Sequence, residues 1–182
     1  MVRLPRLLGL LLCASALAVA SDHARAQAPE PMVMMGEDKD VCKSGEGPAI
    51  LVTIATLKDR KGQLRMDLYS DDPDAWLAGK RKTESEGKTF RRTRAPVPQT
   101  GTPQLCVRVP GPGRYALFVL HDRDGDDKVG VFTDGFGFSR NPRLGFAKPK
   151  LATVVFDFPG GVLPLTITMN YAGGGGHSTA SQ

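Results

Sequence analysis

Histidine and cysteine are scarce in this chain, three of each among 182 residues. The scarcity removes whole classes of chemistry. His23 falls in an N-terminal apolar segment and His177 in a glycine run, so His121 alone serves the body of the chain. A histidine-rich transition-metal site needs clustered imidazoles and is excluded unless the tail folds back. No histidine lies near Cys42 or Cys106 in sequence, which speaks against a zinc site. No plausible nucleophile has an obvious orienting partner, and Ser139 is separated from His121 by an irregular loop, so nucleophilic catalysis leaves no signature. Helical periodicity is missing, and no internal repeat is visible. Aromatics make up 7% of the chain and do not interleave with its basic residues, so no nucleic-acid partner is expected.

What is present begins with an export signal. Arg3 and Arg6 precede an apolar run from Leu7 to Ala20, too short to span a bilayer comfortably. Small residues at cleavage spacing occur at Ala18 and Ala20 and again at Ala24 and Ala26, so residues 1–26 read as a signal peptide cut after Ala20 or Ala26. The later cut is preferred, because Gln27 to Pro31 then opens the mature chain as a flexible leader. Cys13 lies inside the apolar run after Leu12, where a lipid-attachment site needs a small residue. No later segment is apolar enough to cross a membrane, so none is expected in the mature chain. Removing Arg3, Arg6, Arg25 and Asp22 with the signal lowers the formal charge from +5 to +3. That is too mild to force a polyanion reading. A periplasmic or secreted location follows, with residues 27–48 as the leader, 49–171 as the folded domain and 172–182 as a glycine-rich tail without fixed structure.

Export changes the meaning of the cysteines. Once Cys13 leaves, Cys42 and Cys106 remain, an even pair in an oxidising compartment. A disulfide between them closes a loop of about 65 residues and stabilises by roughly 4 kcal/mol in the chain-entropy model.

The middle of the chain reads as strands. Ile50, Val52 and Ile54 alternate with Leu51, Thr53 and Ala55, giving a strand apolar on both faces. After the polar turn Lys58 to Gly62, residues Leu64, Met66 and Leu68 alternate with Arg65, Asp67 and Tyr69, as in a half-buried strand. The two are expected to form a hairpin. Asp72 to Gly79 suits one short helical turn, with Trp76 and Leu77 packing down. Thr89 to Val97, basic and flanked by prolines, reads as an edge strand. Lys80 to Arg94 is either an anion-binding strip or a solvated edge. Leu105, Val107 and Val109 face the core, which turns Cys106 outward to meet an N-terminal segment. Arg114 to His121 is the most apolar run and is placed centrally. Ala152 to Phe158 and Leu163 to Tyr171 complete about seven strands, an all-β, single antiparallel β-sandwich. About thirty residues separate Asp122 from Leu151, and loops this long bind something or pack as a flap.

That loop opens with Asp122, Asp124 and Asp126, acids at alternate positions around Gly125. With Asp122 as position one of a calcium loop, Asp124 and Asp126 fall where ligands are needed. The hinge glycine is replaced by Asp127 and the closing glutamate by Thr133, so this is not an EF-hand. Asp134 or backbone carbonyls would have to complete a looser site, with calcium the candidate ion. Turn chemistry explains the same residues, since aspartates beside glycine accept backbone N–H groups. His121 is expected to hydrogen-bond across the base of the loop. Phe132, Phe136, Phe138 and Phe146 either pin the flap or offer a sugar platform.

The ordered run Pro112, Gly113, Tyr115, Ala116, then His121, Asp122 and Gly125, then Gly135, Gly137, Phe138, Ser139 and Asn141 resembles the bacterial family called domain of unknown function 2141. Leu57 to Tyr69 is similar to that family's first hairpin. The resemblance covers about Ile50 to Tyr171. It implies an exported domain with an immunoglobulin-like or prealbumin-like sandwich, and it implies no reaction. The family loop often continues lysine-leucine-aspartate, whereas this chain has Lys128, Val129 and Gly130. An ion ligand at that aspartate would be missing here.

Two functions remain open. One is a monomeric, non-catalytic module that binds an envelope protein or glycan through residues 121–150, with His121, Phe136, Phe138, Ser139 and Asn141 as the recognition residues. The other is a metal-dependent hydrolase using His121, Asp122 and Asp124, which needs an open coordination position and a fixed second layer of partners.

Overall fold

Two sheets face each other across one apolar core in the computed structural model, which describes residues 30–145 and 147–172. The signal segment 1–26, Cys13, Phe146 and the tail from Gly173 lie outside the described residues. The strands are β1 (Met32–Met35), β2 (Ala49–Ala55), β3 (Gln63–Ser70), β4 (Phe90–Pro96), β5 (Thr102–Arg108), β6 (Gly113–Asp122), β7 (Gly135–Phe138), β8 (Phe156–Phe158), β9 (Val162–Thr168) and β10 (Asn170–Tyr171). Two short helices, α1 (Lys39–Ser44) and α2 (Lys80–Ser85), complete the elements with a 3-10 turn at Leu151–Thr153.

The first sheet runs β1-β5-β2-β9 and the second β10-β7-β6-β3-β4, with β8 also pairing β6. The all-β, two-sheet architecture is the one the alternation implies. Most pairings are antiparallel, but β1 lies parallel to β5 and β2 parallel to β9. Ile50, Val52, Ile54, Leu105, Val107 and Ile167 of the first sheet pack against Leu64, Met66, Leu68, Leu117 and Val119 of the second. Burying a side chain of this size is worth about 1.5–3 kcal/mol.

Four sequence expectations change. β2 and β3 are not a hairpin; the chain crosses between sheets at Thr56–Gly62, which sets their apolar faces opposite each other rather than side by side. The leader is structured: Met32–Met35 adds an edge strand to the first sheet, and α1 follows. Ala152 to Phe158 is a strand only at its end, because Val154 and Val155 instead pack on the outer face of the second sheet. The loop after β6 is not loop throughout, since β7 folds back onto β6 with Phe138 opposite Phe118.

Other expectations hold. β6 sits centrally, between β3 and the β7 and β8 pairings, and β4 is an edge. Cys42 on α1 bonds Cys106 on β5, with Cα atoms 6.1 Å apart, on the outer face of the first sheet. Among the described residues no helix is long and apolar enough to cross a membrane.

Candidate functional site

The second sheet is buried on both faces. Strand alternation sends Arg65, Asp67 and Tyr69 away from the core, yet their exposures are only 6%, 1% and 2%. Their cover comes from residues 71–79 on one side and from segments within 129–145 and 147–155 on the other. Asp72 shapes the first cover by accepting the N–H groups of Asp74 at 2.8 Å and Ala75 at 3.2 Å through Oδ1. The Trp76 indole N–H then donates to the Pro149 carbonyl at 2.9 Å and joins the two covers.

Between these covers and the sheet lies a cavity of about 470 Å³. Its floor is Arg65, Asp67 and Tyr69 from β3, Arg92 from β4, Phe118 from β6, and Phe136 and Phe138 from β7. Leu77 and Ala78 form one wall. Val129, Val131, Leu144 and Lys148 contribute from the long segment after β6. A volume of this order, mostly apolar with a few converging polar groups, is what small-molecule sites share.

The polar corner is a cross-strand charge array. Arg92 pairs with Asp67 in the β3–β4 register and grips it through two of its nitrogens, Nε to Oδ1 at 2.6 Å and Nη2 to Oδ2 at 2.7 Å. Such two-pronged contacts are the stronger kind of ion pair. The hydrogen bonds to Asp67 hold the Arg92 pKa above its ordinary value. Burial, reinforced by the Asp67 charge, raises that of Tyr69. Arg65 donates to the Asp127 carbonyl at 2.8 Å, while its Nε lies 3.7 Å from Asp67 and has no hydrogen-bond acceptor among the described residues.

The acidic loop is built onto this corner. Asp127 accepts from Arg94 at 2.9 Å and from Gln63 at 3.2 Å. Buried Asp122 accepts from the Gly125 N–H at 2.8 Å, the Asp127 N–H at 3.0 Å and the Gln63 amide at 2.8 Å. Burial pushes its pKa up, and the Gln63, Asp127 and Gly125 donors more than reverse that, leaving it below the ordinary carboxylate value. Asp124 accepts the Asp126 N–H at 3.3 Å and Asp126 the Lys128 N–H at 2.8 Å. Asp134 closes the loop by accepting from Arg123 at 3.1 Å and Gly130 at 2.8 Å.

Asp122, Asp124 and Asp126 therefore converge, each offering a carboxylate oxygen within 4.8 Å of the others. Each also already satisfies a backbone amide. The pKa of Asp124 is raised by partial desolvation among its neighbours and then by the Asp126 and Asp134 charges, although the residue itself is exposed.

His121 does not reach across the acidic loop. It is fully buried, with Nδ1 against the Tyr171 hydroxyl and Nε2 against the Lys61 carbonyl, both at 2.8 Å. A carbonyl only accepts, so Nε2 carries the proton and Nδ1 accepts from tyrosine. Burial holds the His121 pKa below its ordinary value.

The glycine-phenylalanine-serine-asparagine run turns out to be joinery. A Cβ on Gly135 would lie 2.3 Å from the Tyr171 ring, so only glycine admits that ring. Ser139 Oγ accepts the Leu117 N–H at 2.9 Å and donates to the Val154 carbonyl at 2.6 Å. Asn141 clamps β9 of the opposite sheet, donating to the Thr166 carbonyl at 3.0 Å and accepting from the Thr168 N–H at 2.8 Å. Of the recognition residues read from sequence, Phe136 and Phe138 reach the cavity, while His121, Ser139 and Asn141 hold strands together. Phe132 is 88% exposed at the loop tip.

Sequence reasoning missed Arg65, Asp67 and Arg92 because alternation cannot separate a solvent face from a covered one. The available signal was one opposite-charge pair, Asp67 on β3 facing Arg92 on β4, beside the like-charged pair Arg65 and Arg94, which an open strand face would disfavour.

Among known proteins, no curated protein and no solved structure matches the chain. One family model matches over residues 52–164, that of an uncharacterised protein conserved in bacteria, DUF2141. Its span runs from the core of β2 to β9 and takes in the cavity floor, the acidic loop and the Gly135 to Asn141 run, but not the Thr166, Thr168 and Tyr171 partners of that run. The chain belongs to the DUF2141 family.

Proposed function

We propose that this protein is an exported, non-catalytic binding module that receives a small ligand in the cavity between the outer face of the second sheet and the segment 121–150. The observation that carries the reading is the cavity itself, about 470 Å³ and bounded by Phe136, Phe138, Val129, Val131 and Leu144 from that segment. Long loops held on a rigid sheet are where binding residues concentrate. Export is supported by the apolar N-terminal segment and by the Cys42–Cys106 bond, since disulfides persist in oxidising compartments. The engaged ring of His121 supports a role without acid–base catalysis.

The test is a thermal-shift screen of small molecules against the purified protein and against Ala78→Trp, which adds an indole to the cavity lining. Compounds that raise the melting temperature of the parent and not of the variant support the cavity as the binding site. If every stabilising compound acts equally on both, the site is elsewhere.

A further inference from the structure

The charge balance of the cavity floor points to the kind of molecule it receives. Arg92 and Asp67 neutralise each other through two short hydrogen bonds. Arg94 and Asp127, just outside, form a second self-contained pair. Arg65 is left over. It is 6% exposed, it donates to a neutral carbonyl, and its nearest carboxylate is Asp67 at 3.7 Å, already committed to Arg92. Among the described residues of the lining Asp67 is the only carboxylate, and the exposed Lys148 adds a positive charge at its rim. A buried charge without a bonded counter-ion is unfavourable, and the site gains if a ligand supplies one.

Elsewhere the lining is apolar. Phe118 and Phe136 stack with ring centres 6.5 Å apart, and Phe138 lies 5.3 Å from Phe118. Leu77, Val131 and Leu144 face the same space. The cavity therefore has one positively charged corner and one greasy body. Its volume suits a small molecule rather than a folded partner.

We propose that the ligand is an apolar monocarboxylate, its hydrocarbon or aryl body against the phenylalanines and its carboxylate at the guanidinium of Arg65. The proposal rests on the cavity being the binding site, as argued above. Arg65 is the one surplus charge that is buried, Lys148 being exposed, and a single buried cation matches a monoanion. A neutral molecule leaves that charge uncompensated, and a cation adds to it.

The experiment is titration calorimetry of the purified, disulfide-bonded protein with decanoate, 1-decanol and decyltrimethylammonium. These three probes share a body and differ in head charge. Decanoate is expected to bind at least about tenfold more tightly than decanol, the size of one charge-assisted hydrogen bond, and the cation more weakly than either. Arg65→Met is expected to remove the preference for decanoate while leaving decanol affinity within about twofold. Equal binding of decanoate and decanol overturns the charge assignment and leaves the cavity reading standing. Decanoate binding that survives Ala78→Trp unchanged overturns the cavity reading itself, as does failure of all three probes to bind. The comparison of the three heads needs no variant, so it decides the matter even if Arg65→Met does not fold.

Discussion

His121 Nδ1 accepts a hydrogen bond from the Tyr171 hydroxyl at 2.8 Å, and this contact ties the central strand of the second sheet to its last one. The tyrosine oxygen in turn accepts the Lys58 N–H at 3.1 Å, and the imidazole donates to the Lys61 carbonyl. A neutral imidazole satisfies all three bonds. A protonated one would present a second donor to a hydroxyl that must then turn around.

The first prediction is a pH dependence. Burial holds the folded-state pKa of His121 below its ordinary 6.5. As pH falls through 6.5 the unfolded chain takes up a proton that the folded one refuses, so stability is lost on acidification and is fully present above that value. Urea unfolding at about pH 7.5 and about pH 5.5 should show this loss, and His121→Gln should shrink it. An equal loss in both proteins would remove His121 as its source.

Asp122 supplies the second. Its carboxylate meets three donors while fully buried. Asp122→Ala leaves them without an acceptor and should cost about 2–4 kcal/mol by denaturant unfolding. Asp124→Ala, which removes one long contact from an exposed residue, should cost less than about 1 kcal/mol. Equal costs would show that Asp122 is not the keystone of the loop.

A third prediction concerns calcium. We infer that the three aspartates serve the turn, because each already accepts a backbone amide. Changing from about 1 mM calcium to a chelator should then move the melting temperature by less than about 1 °C. A rise of several degrees with calcium, abolished in Asp124→Ala, would assign an ion to the cluster.

Removing the cross-link tests the N-terminal segment. The Cys42–Cys106 bond spans 64 residues and anchors a six-residue helix to β5. Replacing both cysteines with serine should lower stability by about 3–4 kcal/mol. Hydrogen exchange should then quicken first at Met32–Met35. Protection of β1 that equals the parent's would mean that strand pairing alone holds it.

Ser139 supplies the fifth. Its hydroxyl serves the Leu117 N–H and the Val154 carbonyl inside the protein, and Ser139→Ala strands both. The expected cost is about 1–3 kcal/mol. Ligand binding should persist, because Ser139 does not line the cavity. Abolished binding in a variant that still folds would move Ser139 from joinery to the site.

Much of the architecture was legible because period-2 alternation reports directly on burial. Ile50, Val52 and Ile54 face the core as their spacing implies, and Cys106 points away from it because Leu105 and Val107 point in. The family motif was legible for a steric reason: Gly135 and Gly137 are forced by Tyr171, Ile167 and Met169 pressing on their backbones. The crossing of the chain between β2 and β3 was not legible, since a hairpin and a crossover share one turn signature. The covered face was not legible either. Arg65 and Asp67 carry the residue types of a wet strand, and only the packing of residues 71–79 and of segments within 129–145 and 147–155 makes them interior.

β2 lies in register beside β9, Ala49 against Val162. The first sheet is thus completed by a strand that enters the chain more than a hundred residues after the one it pairs with. Pairings this distant along the chain close slowly and leave greasy edges bare meanwhile. Truncation before Val162 should accordingly give not a shortened domain but an aggregating one.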